Sequence, residues 1–118
     1  SVCGVYRADA WEKTQMNEEK KKYLSLYLLQ NARIHRLNEM IEKFPEDRGK
    51  FLKEIKAANL IRAEIEEKIE RVDGGLLSEL LFQKYICGKS LLKVSYVINY
   101  SPRQTERLHK KALEKFKI

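Results

Sequence analysis

The sequence predicts an all-α fold in which a long antiparallel helical hairpin is followed by three shorter helices. Its 118 residues include only two prolines and five glycines, a composition that favours helices over sheet or disorder. Apolar residues also recur at helical spacing along most of the chain. The few helix-ending signals divide the chain into three parts, residues 1–10, 11–73 and 74–118.

The first helix of the hairpin follows residues 1–10, which show no sustained period and are predicted to form a tail. No proline or glycine occurs from Glu12 to Phe44. Pro45 ends this helix, because proline disfavours helix in the residue before it. One face of the helix follows heptad spacing through Tyr23, Tyr27, Gln30, Ile34, Leu37, Ile41 and Phe44.

The second helix is predicted from about Glu46 to Val72, and Gly74 and Gly75 end it. Its heptad stripe comprises Phe51, Ile55, Ala58, Arg62, Ile65, Ile69 and Val72. Two such stripes joined by a short break should form a hairpin in which each helix covers the other's apolar seam. We expect this coiled-coil-like unit to serve in oligomerisation or partner contacts.

The middle of the first helix, residues 23–29, is apolar on more than one side, so the hairpin alone cannot bury it. Either the C-terminal helices or a second copy of the chain must cover the remainder. We expect a homodimer, because a monomer rarely exposes an apolar patch of this size.

Residues 74–118 are predicted to form three short helices. The first covers residues 76–87 and stops at Gly88; its inward side chains are Leu77, Leu80, Leu81 and Tyr85. The second covers residues 90–98; its inward side chains are Leu91, Val94, Val97 and Ile98. Asn99 follows, a residue that tolerates the left-handed conformation of a tight turn.

The last helix has a well-defined start at Ser101-Pro102-Arg103-Gln104, with Ser as N-cap, Pro in the first turn and Gln completing a capping box. Its inward face contains Thr105, Leu108, Ala112 and Phe116. Its outward face is mostly cationic and contains Arg103, Arg107, Lys110 and Glu114, with Gln104 and Lys111 at the edge.

The charge is concentrated in the same segment. The chain carries +7, and residues 74–118 hold nine Lys and Arg against three acids. A localised excess of this kind is typical of proteins that bind polyanions.

A short helix, a tight turn and a second helix whose first turns present Arg and Gln form the helix-turn-helix layout, in which the second helix enters the major groove. Arginine can bond guanine and glutamine adenine, whereas lysines and helix N-termini suit phosphates. The candidate residues for binding double-stranded DNA are Lys89, Ser90, Ser101, Arg103, Gln104, Arg107, Lys110 and Lys111.

Residues 90–113, SLLKVSYVINYSPRQTERLHKKAL, resemble the region-four helix-turn-helix of bacterial sigma factors without a gap. Ser95 stands at the family's small alanine, Asn99 at its turn glycine and Ser101 at its cap. A hairpin followed by YSPRQTERLHKKALEKF further resembles phage-encoded transcriptional regulators of the ArpU and RinA type. The resemblance implies a phage or prophage regulator that binds DNA, with RNA polymerase as a candidate partner.

Departures from the sigma pattern limit which properties of that family can be expected of this chain. Pro102-Arg103 and Glu106-Arg107 stand where the sigma recognition helix has Arg-Glu and Arg-Gln, so its promoter specificity is not expected here. The alternative is a small terminase-like packaging subunit, which also couples a helix-turn-helix to helical oligomerisation elements. A dimer favours the regulator and a ring of many subunits favours the packaging subunit.

Other function classes lack their motifs. Cys3 and Cys87 have no metal-ligand spacing, and His35 and His109 are interpreted as surface residues. No phosphate-binding loop, nucleophile elbow or HExxH motif occurs, so we expect neither an enzyme nor a cofactor nor a metal. With no apolar run near the roughly 20 residues that span a bilayer and no signal peptide, we expect a cytoplasmic protein without membrane contact.

Overall fold

A computed structural model describes the backbone of residues 2–118 and the side chains of residues 11–118. Helix α1 is followed by a 3-10 turn, then by α2, then by α3 with one π-helical turn at its end, and finally by α4 and α5. Their bounds are Val2–Lys43 for α1, Pro45–Asp47 for the 3-10 turn, Arg48–Glu70 for α2, Gly75–Leu81 for α3, Phe82–Ile86 for the π turn, Leu91–Ile98 for α4 and Pro102–Lys115 for α5. The predicted all-α fold, a long hairpin followed by three helices, is confirmed.

The N-terminal end of α1 requires a correction to the predicted tail at residues 1–10. Helix α1 begins at Val2, so residues 2–10 continue the helix, and Ser1 lies outside the described residues. The one glycine in this stretch, Gly4, disfavours helix by only about 1 kcal/mol relative to alanine. The absence of a sustained apolar period therefore did not mark a helix boundary.

Helices α1 and α2 pack as an antiparallel hairpin with polar pairs along the seam. The Tyr27 hydroxyl donates to Glu66 Oε1 at 2.5 Å, and Arg62 Nη1 donates to Asn31 Oδ1 at 2.6 Å. Arg62 also lies over the Tyr27 ring, 5.8 Å from its centroid. The charge that interrupts the α2 stripe is thus held by partners on α1.

The apolar seam agrees with the predicted stripes over most of its length. Five of the seven stripe residues of α2 are buried: Phe51, Ala58, Ile65, Ile69 and Val72. On α1, Tyr27, Gln30 and Leu37 are buried, whereas Phe44 at the end of the helix is exposed.

The hairpin and the C-terminal helices share one hydrophobic core. Its buried members come from every helix: Leu24, Tyr27, Ile65, Ile69, Val72, Leu77, Leu80, Leu81, Tyr85, Val94, Ala112, Leu113 and Phe116. Tyr23 and Leu26 pack against the same core, while Leu28 and Leu29 remain exposed. The C-terminal helices therefore cover most of the apolar surface at residues 23–29, and this surface does not require a second copy of the chain.

Lys20 joins α1 to the C-terminal end of α5. Its side chain is 9% exposed, and its ammonium Nζ donates to the Leu113 carbonyl at 2.7 Å and to the Glu114 carbonyl at 3.4 Å. The last carbonyls of a helix lack partners within it and carry the negative end of its dipole, so a cation there is favourable. Burial lowers the pKa of Lys20, and the nearby Glu114 carboxylate offsets part of that shift.

We expect Leu113→Ala to lower the free energy of unfolding by about 2–5 kcal/mol, because it leaves a cavity in the shared core. The matched control is Leu92→Ala, the same substitution on the exposed face of α4, which should change stability by less than about 0.5 kcal/mol. Urea denaturation followed by circular dichroism measures both. Equal losses in the two variants would contradict the placement of the core.

Candidate nucleic-acid interface

The turn between α4 and α5 has the backbone geometry of a tight helix-helix connection. Ser90 caps α4 by accepting a hydrogen bond from the Lys93 backbone N–H at 3.2 Å. At the other end, Asn99 has a φ of 59° and lies in the left-handed region, as the sequence predicted. The Tyr100 backbone N–H then donates to the Ser95 carbonyl at 3.1 Å and closes the turn.

The N-terminus of α5 forms the predicted capping box. The Gln104 backbone N–H donates to Ser101 Oγ at 3.1 Å, and the Ser101 backbone N–H donates to Gln104 Oε1 at 3.4 Å. Thr105 Oγ1 also donates to the Ser101 carbonyl at 2.9 Å. Three contacts therefore hold the first turn of α5 at a defined place.

The outward face of α5 is a row of free cations. Arg103, Arg107, Lys110 and Lys111 are all exposed. Among the described side chains, none forms a hydrogen bond or ion pair with these four. Their charges are thus available to a ligand without the loss of an existing contact.

The burial of side chains on the inward face of α5 differs in part from the prediction. Thr105, Ala112 and Phe116 are buried as predicted, but Leu108 is only partly buried. His109, interpreted as a surface residue, is 5% exposed. It lies four residues after Thr105 and three before Ala112, a spacing that places it on the inward face.

His109 is held in the core by Tyr85. Its Nε2 lies 2.8 Å from the Tyr85 hydroxyl, and the two rings are 5.8 Å apart. Burial, together with the positive charges of nearby Lys84 and Lys21, which disfavour a protonated imidazole, lowers the pKa of His109 to about 4. Burial also raises the pKa of Tyr85. Both groups are therefore neutral near pH 7 and join α5 to the π turn through one hydrogen bond.

Four of the eight candidate DNA-binding residues have structural contacts of their own. Ser90 and Ser101 serve as N-caps, although both are exposed. Lys89 Nζ donates to Gln83 Oε1 at 2.5 Å and is partly buried. An ammonium has three donors, so Lys89 can keep this bond while it meets a phosphate.

Gln104 cannot fill both of its predicted roles, capping α5 and pairing with adenine, at the same time. Bidentate pairing with adenine uses both the amide and the carbonyl of the glutamine side chain. In this structure Gln104 Oε1 already accepts from the Ser101 backbone N–H and lies 3.2 Å from Ser101 Oγ. Gln104 can therefore read adenine in this way only when the capping box opens.

Helix α4 exposes side chains that were not predicted to face outward. Val97, predicted to face inward, is exposed, and so are Lys93 and Tyr96. Val94 is buried as predicted, and Leu91 and Ile98 pack against the core, but the remaining inward position is that of buried Ser95. An eight-residue helix in which most side chains are apolar has no polar face, so its pattern alone does not show which side is covered.

The described part of the chain offers neither a candidate metal centre nor a candidate membrane-spanning helix. No group of three or more His, Cys, Asp or Glu side chains there is arranged to hold a metal ion. Within the same residues, no helix has the length and apolar character needed to cross a bilayer. Comparisons with known proteins returned no match, whether by family, by curated sequence or by solved structure.

We expect the protein to lose stability as the pH falls from about 6.5 toward 4, because the unfolded chain protonates His109 at its ordinary pKa while the folded chain resists protonation until about pH 4. The loss from this group should reach about 3 kcal/mol at pH 4 and should be absent above pH 7. Carboxylates also titrate in this window, so the informative quantity is the difference from a variant. His109→Gln should show a shallower pH dependence in urea denaturation.

The matched control for this prediction is His35→Gln, at an exposed histidine on α1. This variant should keep the pH dependence of the parent. A His109→Gln variant whose stability falls with pH as steeply as the parent's would show that His109 is not neutral in the folded state.

Proposed function

We propose that this chain binds double-stranded DNA with sequence specificity through α4, the turn and α5. The observation that carries the proposal is the outward face of α5, where Arg103, Arg107, Lys110 and Lys111 are exposed and have no partner among the described side chains. On an ordinary solvated helix, acidic and basic side chains alternate. Helix α5 instead contributes two acids, exposed Glu106 and Glu114. The predominance of cations on this helix suits a polyanionic ligand.

Arginine and lysine have different roles in the proposed complex. Arg103 and Arg107 lie in the first two turns of α5, the part of a recognition helix that reaches base edges in the major groove. Lys110 and Lys111 lie farther along and would contact phosphates. Ser90 and Lys89, at the start of α4, would meet the backbone where the first helix crosses it.

The biological role we propose is that of a phage or prophage transcriptional regulator acting in the cytoplasm of a bacterial host. It rests on the resemblance of residues 90–113 to sigma region four and of the whole arrangement to regulators of the ArpU and RinA type. RNA polymerase is a candidate partner on the same ground. We propose that the chain forms a dimer. Phe44, Leu52 and Leu60 of the hairpin are exposed, so they are better candidates for the dimer interface than residues 23–29, which are mostly covered.

The proposal predicts two distinct effects of removing cations from α5. On a site selected from random duplexes, Arg103→Ala and Arg107→Ala should each weaken binding by about 1–3 kcal/mol and relax the sequence preference. Lys111→Ala should weaken binding to all duplexes about equally. It should also reduce the slope of log affinity against log salt by about one, because each phosphate contact releases about one counterion. Fluorescence anisotropy at several salt concentrations measures these quantities.

The matched control is Lys56→Ala, at an exposed cation of α2, which should leave affinity and salt slope unchanged. Circular dichroism should show every variant folded, since none of these side chains is buried. A parent that binds no duplex, or whose affinity does not fall with salt, would refute DNA binding. Light scattering that shows a ring of many subunits would contradict the regulator in favour of a packaging subunit.

A further inference from the structure

Helix α4 exposes an apolar surface that the proposed DNA contact does not use. Tyr96 is 71% exposed, Leu92 52% and Val97 47%. On a helical wheel these three side chains and Lys93 lie together, opposite buried Val94 and Ser95. We refer to Leu92, Lys93, Tyr96 and Val97 as the α4 face.

The fold itself does not account for the α4 face. Helix α4 packs on α3, the π turn and α5 through its other side, where Val94 is buried and Leu91 and Ile98 pack against the core. Exposing three large apolar side chains on two helical turns is unfavourable in water, whereas single exposed apolar residues are ordinary. The α4 face therefore has the character of a docking surface.

The positive charge of Lys93, and of the chain segment that contains α4, indicates the charge of a partner. Residues 80–105 contain four Lys and Arg and no Asp or Glu. Lys93, the one charge on α4, lies within the apolar face and, among the described side chains, forms no ion pair. A complementary surface would place apolar side chains on Leu92, Tyr96 and Val97 and a carboxylate on Lys93.

Two other occupants fit this surface less well. A twofold pairing of two copies through α4 would bring both Lys93 ammonium groups into one interface, with no acid in residues 80–105 to pair with them. A complex with DNA could use the Lys93 ammonium and the Tyr96 hydroxyl as donors to phosphate oxygens, but it would leave the aliphatic side chains of Leu92 and Val97 without a matching surface. An acidic, partly apolar protein segment satisfies both the charge and the apolar side chains.

We propose that the α4 face docks an acidic amphipathic helix of a partner protein. Helix α4 is about 12 Å long, so about two turns of such a partner would lie along it. Leucine-like side chains at i, i+3 and i+4 of the partner would cover the α4 face, and a flanking carboxylate would pair with Lys93. The proposal does not depend on DNA binding, since the DNA contact proposed above assigns a role to none of the four residues of the α4 face.

The experiment uses two synthetic 21-residue peptides that share one leucine face, with glutamates on the other face in one peptide and lysines in its counterpart. The full chain, labelled with ¹⁵N, is titrated with each peptide and followed by NMR. We expect the acidic peptide to bind at least tenfold more tightly than the basic one and to shift the resonances of α4. Tyr96→Glu should weaken binding of the acidic peptide at least tenfold.

Two further variants separate this proposal from a general effect of charge. Met16→Glu, which adds the same charge at an exposed apolar position on α1, should bind the acidic peptide like the parent. Lys93→Glu should reverse the preference and bind the basic peptide more tightly. Each variant is changed at an exposed position, so circular dichroism should show that it is folded.

Four outcomes would overturn the proposal. Equal binding of the two peptides, or shifts outside α4, would show that the α4 face does not select acidic helices. Light scattering in which Tyr96→Glu alone converts an oligomer to a monomer would assign the face to a second copy. A tenfold loss of duplex affinity in Tyr96→Glu, with peptide binding unchanged, would assign it to DNA.

Discussion

The structure depends on α1 packing against two sets of helices at once. Leu24 and Tyr27 lie in a core to which α2 contributes from the hairpin and α3, α4 and α5 contribute from the C-terminal segment. If α1 were covered by α2 alone, its remaining apolar side chains would face water, and residues 74–118 would lose much of the surface on which they pack. The hairpin and the helix-turn-helix are therefore parts of one cooperative unit.

Lys20 shows how specific this packing is. A buried ammonium is strongly unfavourable unless its donors are satisfied, and here the acceptors are carbonyls at the end of a helix 93 residues away in sequence. The Leu113 carbonyl accepts from both the Phe116 backbone N–H and Lys20, so this contact adds to the end of α5 a bond from another helix. Together with the Tyr85–His109 hydrogen bond and the capping box at Ser101, it holds α5 at its end, its middle and its start.

The same three contacts determine which side chains of α5 remain available. His109 is committed to the core, and Gln104 is committed to the cap, so the chemistry open to a ligand is mainly that of the two arginines and two lysines. A helix supported in this way is held as a rigid body, which would lower the entropy lost on binding a ligand. It also means that any change at residues 20–27 of α1 should be felt at α5, although they are distant in sequence.

The amino-acid sequence determined the local features of this protein. Heptad spacing marked both hairpin helices, Asn99 marked the left-handed turn, and Ser101 to Gln104 marked the start of α5, because each depends on residues a few positions apart. The cations of α5 could likewise be predicted to face outward from one helical wheel. The spacing of His109 from Thr105 and Ala112 also places it on the inward face of α5, whereas tertiary packing alone decided the exposure of Val97, the pairing of Lys20 with α5 and the covering of residues 23–29. These depend on which helices meet in space, and a short helix that is apolar on both sides, such as α4, carries no local signal of which side its neighbours cover.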